Sequence, residues 1–208
     1  MSFREVKANL RRLRASNHAP IPLPFPVAPT LRLARLTPGP NFADAELFVP
    51  KRWSDLTAFA PNVVVGSLAK MQSLADRAMA GSVDVSSIDH ALVVLTRYGS
   101  KPLNDVARVM LWQSFGVPIF ELYLGLDHSL LASECEAHDG WHLGPGIGFV
   151  ILETGELMLD GAGNLGLRTG LSASADQTNC PCGRTSPRVL NIEQLPQRVD
   201  IRYLAASA

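Results

Sequence analysis

From Asn62 to Tyr123 the sequence alternates between short, wholly apolar runs and longer segments with helical spacing, and that alternation leaves few folds open. Asn62-Val63-Val64-Val65 stops at Gly66-Ser67, and Leu68, Met71, Leu74, Ala75, Ala78 and Met79 then recur at helical spacing up to Gly81. Ala91-Leu92-Val93-Val94-Leu95 is continuously apolar, the pattern of a strand covered on both faces. A second helix is expected after Tyr98-Gly99-Ser100, with Pro102 in its first turn, Leu103, Val106, Ala107 and Met110 facing inward, and Gly116 closing it. Val117-Pro118-Ile119-Phe120-Glu121-Leu122-Tyr123 reads as a third strand. This is βαβαβ, which predicts three parallel strands joined by right-handed crossovers.

Past Gly125 the helical period disappears. Short runs at Leu130–Cys135, Gly148–Glu153, Glu156–Leu159, Leu165–Arg168 and Arg188–Ile192 are separated by turn-forming Gly144-Pro145-Gly146, Thr154-Gly155 and Asp160-Gly161-Ala162-Gly163. The fold class expected is therefore α/β: a parallel βαβαβ lobe of three or more strands, then a small antiparallel, barrel-like β subdomain. The expected divisions are 1–52, 53–127 and 128–208.

The first of these is unlike the rest. Phe3, Val6, Leu10 and Leu13 fall on one helical stripe, with Arg4, Lys7, Arg11, Arg12 and Arg14 around it. The segment is read as a basic amphipathic helix docked on the domain or on a partner, with a transit peptide or membrane-surface helix as the alternative. Prolines at 20, 22, 24, 26, 29, 38 and 40 then argue for an extended arm or linker that holds neither a helix nor a central strand. Residues 1–40 are the expected surface for a protein partner or a homo-oligomer.

Composition narrows the function. The formal net charge is zero, so no electrostatic case exists for nucleic acid as the main partner. No apolar run approaches the ~18 residues that span a bilayer, and the N-terminus has no apolar core of a secretory signal. Three cysteines suit a disulfide framework poorly. A cytoplasmic protein with reduced thiols is expected.

Those cysteines are spaced as metal ligands. Cys135 is followed by His138 and His142, and Cys180-Pro181-Cys182-Gly183 forms a compact turn. Three thiolates and one imidazole complete a tetrahedral zinc site with no position left for water, which makes the metal structural. Cys135, His142, Cys180 and Cys182 are the expected ligands. His142 returns beside Cys135 if the chain turns at Asp139-Gly140, and His138 is the alternative fourth ligand.

The words around the cysteines carry a resemblance. Glu134-Cys135 with Gly140-Trp141-His142, then Thr154-Gly155-Glu156-Leu157, Arg168-Thr169-Gly170, and Cys180-Pro181-Cys182-Gly183-Arg184-Thr185-Ser186-Pro187-Arg188 resemble successive landmarks of phenylacetate–CoA ligases, in the adenylate-forming acyl-CoA synthetase superfamily. Upstream, Pro61–Ser67, Gly99-Ser100-Lys101-Pro102-Leu103, Phe115–Ile119 and Tyr123-Leu124-Gly125-Leu126-Asp127 continue it, so about residues 55–190 are covered. The resemblance implies one α/β lobe and the small β-barrel of a ligase domain. It also implies a structural zinc on a similar Cys/His set, and a pocket for ATP, AMP or CoA and an acyl group at the strand ends. Here that pocket would lie near Gly66, Tyr98, Gly99, Ser100, Tyr123 and Asp127, with Gly99, Ser100, Tyr123 and Asp127 as the candidate cofactor contacts.

The reactive parts depart from the pattern. Residues 1–54 contain no phosphate-binding loop, and no lysine follows Lys101. The family's ribose motif ends in aspartate where this chain has Leu171, and its turn glutamate is Lys101. The expectation is a truncated, degenerate member that does not adenylate acids by itself and serves as a binding or partner module, a pseudoenzyme. The alternatives are one part of a split ligase, against which Leu171 argues, and an enzyme acting on an acyl or thioester substrate. That enzyme would use Asp127, His128, Glu134, Glu136, His138 and Asp139 as an acid/base set. The plainer account of those groups is solvation or support of the ligand histidine.

Overall fold

The apolar runs do form neighbouring strands. In the computed structural model, which describes residues 20–26, 31–43, 46–161, 164–185 and 187–196, the elements run β1 (Arg32–Arg35), β2 (Glu46–Phe48), α1 (Trp53–Phe59), β3 (Val63–Gly66), α2 (Leu68–Met79), β4 (Ala91–Arg97), α3 (Asp105–Phe115), β5 (Ile119–Leu124), β6 (Leu130–Ser133), β7 (Trp141–Leu143), β8 (Ile147–Ile151), β9 (Glu156–Gly161), β10 (Asn164–Asp176) and β11 (Arg188–Gln194). The basic segment 3–15 lies outside the described residues.

Among the described residues one sheet contains all eleven strands, in the order β2-β1-β3-β4-β5-β6-β7-β11-β10-β9-β8. From β2 to β5 every pairing is parallel. From β5 onward every pairing is antiparallel. The change falls at β5–β6, where a short turn at 125–129 replaces the helical crossovers. The β5–β6 pairing carries a register shift between Tyr123 and Leu124, and the sheet continues through it.

Alternation along the buried strands sorts the core into two faces. Leu33, Val63, Val65, Ala91, Val93, Leu95, Phe120, Leu122 and Leu124 share one face. Ala34, Val64, Leu92, Val94 and Ile119 share the other, packed against Leu56 of α1, Met71 and Leu74 of α2 and Leu111 of α3. Fully buried β4, with Ala91 to Leu95 at 1, 0, 0, 1 and 6 % exposure, meets the two-sided expectation. The antiparallel half builds a third cluster from Tyr123, Leu131, Trp141, Leu157, Leu159, Leu171 and Val189.

Three local expectations are corrected. First, the proline-rich stretch does hold a central strand: β1 pairs with both β2 and β3. The proline-free interval from Thr30 to Leu36 gives that strand the backbone N–H groups it needs. Before it, Ile21, Leu23 and Phe25 are buried in this chain's own core, with Phe25 against Phe120 and His90. These three residues therefore pack inward on this chain's own sheet. Second, α3 begins at Asp105, after Pro102. Its cap is Asn104, whose side chain accepts from the Ala107 N–H at 2.9 Å. Leu103, Ala107 and Met110 face inward as expected, with Leu111 added, whereas Val106 is 79 % exposed. Third, β7 and most of the thirteen-residue β10 were not visible as apolar alternation.

Candidate metal centre

Three strands deliver the site. In β7, His142 lies opposite Ser133 of β6 on one side and opposite Arg188 of β11 on the other. Cys135 follows β6 by two residues, and the Cys180–Gly183 turn precedes β11. The chain leaves Cys135 in a tight turn, with the His138 N–H donating to the Cys135 carbonyl at 2.9 Å. It then crosses β11 so closely at Gly140 that a Cβ there would collide with the Val189 carbonyl and the Leu190 side chain. Gly140 also holds φ 80°, so two independent constraints select glycine at this position. The second turn closes with the Gly183 N–H donating to the Cys180 carbonyl at 2.9 Å, with Gly183 at φ 82°.

The ligand atoms of Cys135, His142, Cys180 and Cys182 all lie within 4.8 Å of one another. Cys135 Sγ is 3.6 Å from Cys180 Sγ, and Cys182 Sγ is 3.4 Å from His142 Nε2. A tetrahedron with bonds of about 2.3 Å to sulfur and about 2.0–2.1 Å to nitrogen has S···S edges of about 3.8 Å and S···N edges of about 3.6 Å. The donor set and its spacing fit zinc. Cys135, His142 and Cys180 are buried and Cys182 is half-buried. His138 stands elsewhere: its ring stacks on Phe120 at 4.6 Å, with φ 48° at its backbone.

Without a metal the thiols are poorly placed to share charge. Burial, with the neighbouring Cys180 and Cys182 sulfurs adding to it, pushes Cys135 up to about 12, against the pull of the Ala137 N–H. At Cys180 burial also raises the thiol, but the Cys182 N–H, the neighbouring thiols and Arg188 together bring it below its ordinary value. Burial, then Arg184 and Arg188, hold His142 below the usual imidazole range, which keeps it neutral and able to donate a lone pair to a metal.

Sequence reasoning missed the group that supports this centre. Arg188, 4 % exposed, pairs with the carboxylates of Asp139 and Asp176 and donates to Thr178 Oγ1 at 3.1 Å. One guanidinium thus ties the loop after Cys135, the end of β10 and the approach to Cys180 onto β11. The nearby Glu134 carboxylate is also committed: it takes Arg108 Nη2 at 2.7 Å and the Glu121 N–H at 2.7 Å. Glu121 in turn accepts from the Leu103 N–H at 2.8 Å and from the Thr96 hydroxyl.

The four candidate cofactor contacts lie at or just after the ends of β4 and β5. Gly99 and Ser100 form the turn after β4, with the Ser100 N–H donating to the Arg97 carbonyl at 2.9 Å. Tyr123 is fully buried and stacked on Trp141 at 4.9 Å. Its hydroxyl lies beside the Gly99 backbone without a hydrogen bond of good geometry. Asp127 accepts from the Ser129 N–H at 3.1 Å and from its hydroxyl at 2.7 Å, closing its own turn. A groove of about 470 Å³ lies elsewhere, between Arg32, Phe48, Lys51 and Phe59. None of the described helices is long and apolar enough to cross a membrane.

No protein-family model matches this sequence, and neither does any curated protein. Solved structures do match, and they define the fold as that of adenylate-forming acyl-CoA ligases, over part of the ligase chain. One is 2-hydroxyisobutyryl-CoA ligase, solved with 2-HIB-AMP and CoA in the thioesterification state: TM-score 0.65, 13 % identity, 91 % of this chain and 48 % of that one. Another is coronafacic acid ligase from Pectobacterium brasiliense, at TM-score 0.53 and 13 % identity over 81 % and 40 % of the two chains. A third is the anthranilate CoA ligase AuaEII in complex with anthranoyl-AMP, at TM-score 0.54 and 12 % identity over 77 % and 39 %. The chain spans less than half the length of these ligases.

Proposed function

We propose that this chain is a zinc-clipped, non-catalytic module with part of the adenylate-forming ligase scaffold, acting as a binding or partner protein in the cytoplasm. The observation that carries the zinc-clip part of this reading is the closed Cys135/His142/Cys180/Cys182 cluster: four protein donors at tetrahedral spacing leave no position at the metal for water or substrate. Bound there, zinc would supply cross-linking of β6, β7 and the loop before β11. In this reading residues 53–127, joined by β1 and β2, form the parallel lobe, and residues 128–196 form a barrel-like subdomain that the metal holds together.

Leu171 supports the absence of adenylation. It stands where the resembled ribose motif has a carboxylate, and it is wholly buried beside Tyr123 and Trp141. The acid/base alternative is disfavoured in the same way. Glu134 serves Arg108 and Glu121, Asp139 serves Arg188, and the His138 ring lies on Phe120.

Two measurements on one zinc-analysed sample test the proposal: calorimetric titration with AMP, ATP and CoA, and pyrophosphate release with ATP and a panel of carboxylic acids. One zinc per chain with no turnover is expected. Turnover by the chain alone would overturn the non-catalytic reading. Binding of AMP or CoA without turnover would keep it and identify a residual ligand.

A further inference from the structure

The sheet ends at β8, and that edge is open among the described residues. β8 pairs with β9 alone, in an unbroken register from Ile147↔Gly161 to Ile151↔Leu157. Exposed sheet edges ordinarily carry lysine, proline or a bulge that prevents further pairing. Ile147-Gly148-Phe149-Val150-Ile151 has no charge and no proline, and its register with β9 has no bulge.

The hydrogen-bonding sense of this edge follows from its hairpin. The Leu152 N–H donates to the Glu156 carbonyl at 2.9 Å, next in register after Ile151↔Leu157. Bonded and non-bonded pairs alternate along an antiparallel ladder. Val150 and Gly148 therefore direct their backbone groups at β9, whereas Phe149 and Ile151 direct theirs outward.

We propose that β8 is a self-association edge, pairing antiparallel with β8 of a second copy about a two-fold axis at Phe149. Three features select a second copy. A two-fold antiparallel pairing centred on Phe149 sets the outward N–H and C=O of each Phe149 against those of its symmetry mate, as the ladder requires. The same register places Gly148 opposite Val150, so the exposed Val150, at 48 %, meets a strand position with no side chain. No like charges oppose, because the strand has none, while the two Phe149 rings and the Ile147/Ile151 pairs extend the apolar cluster on which they already pack. The pairing does not rest on the metal reading or on the absence of catalysis.

Two five-residue strands make a contact at the small end of specific interfaces, so association at micromolar concentration or weaker is expected. Sedimentation velocity of the zinc-loaded full chain from about 1 µM to about 1 mM spans that range. The dimer fraction should rise across the series. Val150→Lys, on the solvent-facing side of the strand, should weaken association at least tenfold while the far-ultraviolet spectrum and zinc content stay unchanged. Register is read by mild oxidation of Phe149→Cys, whose symmetry mate would lie about 5.5 Å away between Cα atoms, within disulfide reach. Covalent dimers should form in Phe149→Cys and not in Val150→Cys. A chain that stays monomeric at every concentration overturns the proposal. So does a dimer indifferent to Val150→Lys, or cross-linking equal in the two cysteine variants.

Discussion

Cys135 Sγ and Cys180 Sγ lie 3.6 Å apart although 45 positions separate them in the chain. No β-strand pairing puts them there directly. Cys135 is carried by the end of β6 and Cys180 by the loop that enters β11, and β7 lies between these two strands with His142 facing both. The contact closes the antiparallel half of the sheet, and its metal dependence can be measured.

His142, and not His138, should be the fourth ligand. His142→Ala should weaken zinc affinity by about 100-fold or more, at or beyond the loss usual for a merely supporting partner. His138→Ala should leave affinity within a few-fold, since its ring faces Phe120. Competition with a zinc chelator checks both variants, and equal losses would refute the assignment.

Removing the metal should loosen only part of the fold. The clip joins β6, β7 and the 180–183 turn, whereas β1, β3, β4 and β5 are held by apolar packing on both faces. Under EDTA, amide exchange should quicken across 130–194 while β3 and β4 keep their protection. Uniform quickening, or none, would contradict the clip.

Arg188 should matter to stability almost as much as the ligands do. Arg188→Ala leaves Asp176 and Asp139 without their shared cation at a buried position. The expected effect is a lower Tm, with a smaller loss than for a fully buried pair because Asp139 is half exposed. Denaturant unfolding of the zinc-loaded variant checks it, and a change under about 1 kcal/mol would show the pairs to be ordinary surface contacts.

Glu121 should make stability fall as pH rises. Burial lifts its carboxyl from 4.5 to about 7, with hydrogen bonds from Thr96 and Leu103 pulling the other way. The folded chain keeps this proton over a range in which the unfolded chain has lost it. The stabilisation is therefore full below about pH 4.5 and lost by about pH 7, at a cost on the order of 2–3 kcal/mol. Glu121→Gln keeps an acceptor for the Leu103 N–H and removes the titration. The stability difference between variant and wild type should grow in the variant's favour from pH 5 to pH 8, measured by urea unfolding. A difference independent of pH would show that Glu121 does not titrate in this window.

Much of this was legible because burial writes itself into sequence. A strand covered on both faces must be apolar throughout, so Val63–Val65 and Ala91–Leu95 announced themselves. The metal ligands were legible because cysteine is otherwise absent from the chain and two of the three cysteines share a turn. Less legible were elements whose partners are distant. β7 is three residues long and acquires its identity from β6 and β11, and β10 is half polar. β1 was hidden by the prolines around it, which constrain only their own backbone positions.

The sequence by itself determined which residues alternate between the two faces of the parallel strands, where the chain changes from crossovers to hairpins, and that three cysteines with His142 or His138 suit zinc. These follow from local periodicity and donor chemistry. Only the tertiary structure decided that His142 and not His138 meets the three sulfurs, that Arg188 holds the loops around them, that Leu171 and Tyr123 are buried side by side in the antiparallel half, and that the uncharged β8 strand ends the sheet among the described residues. Each depends on which distant segments become neighbours, and the packing of the whole chain decides that.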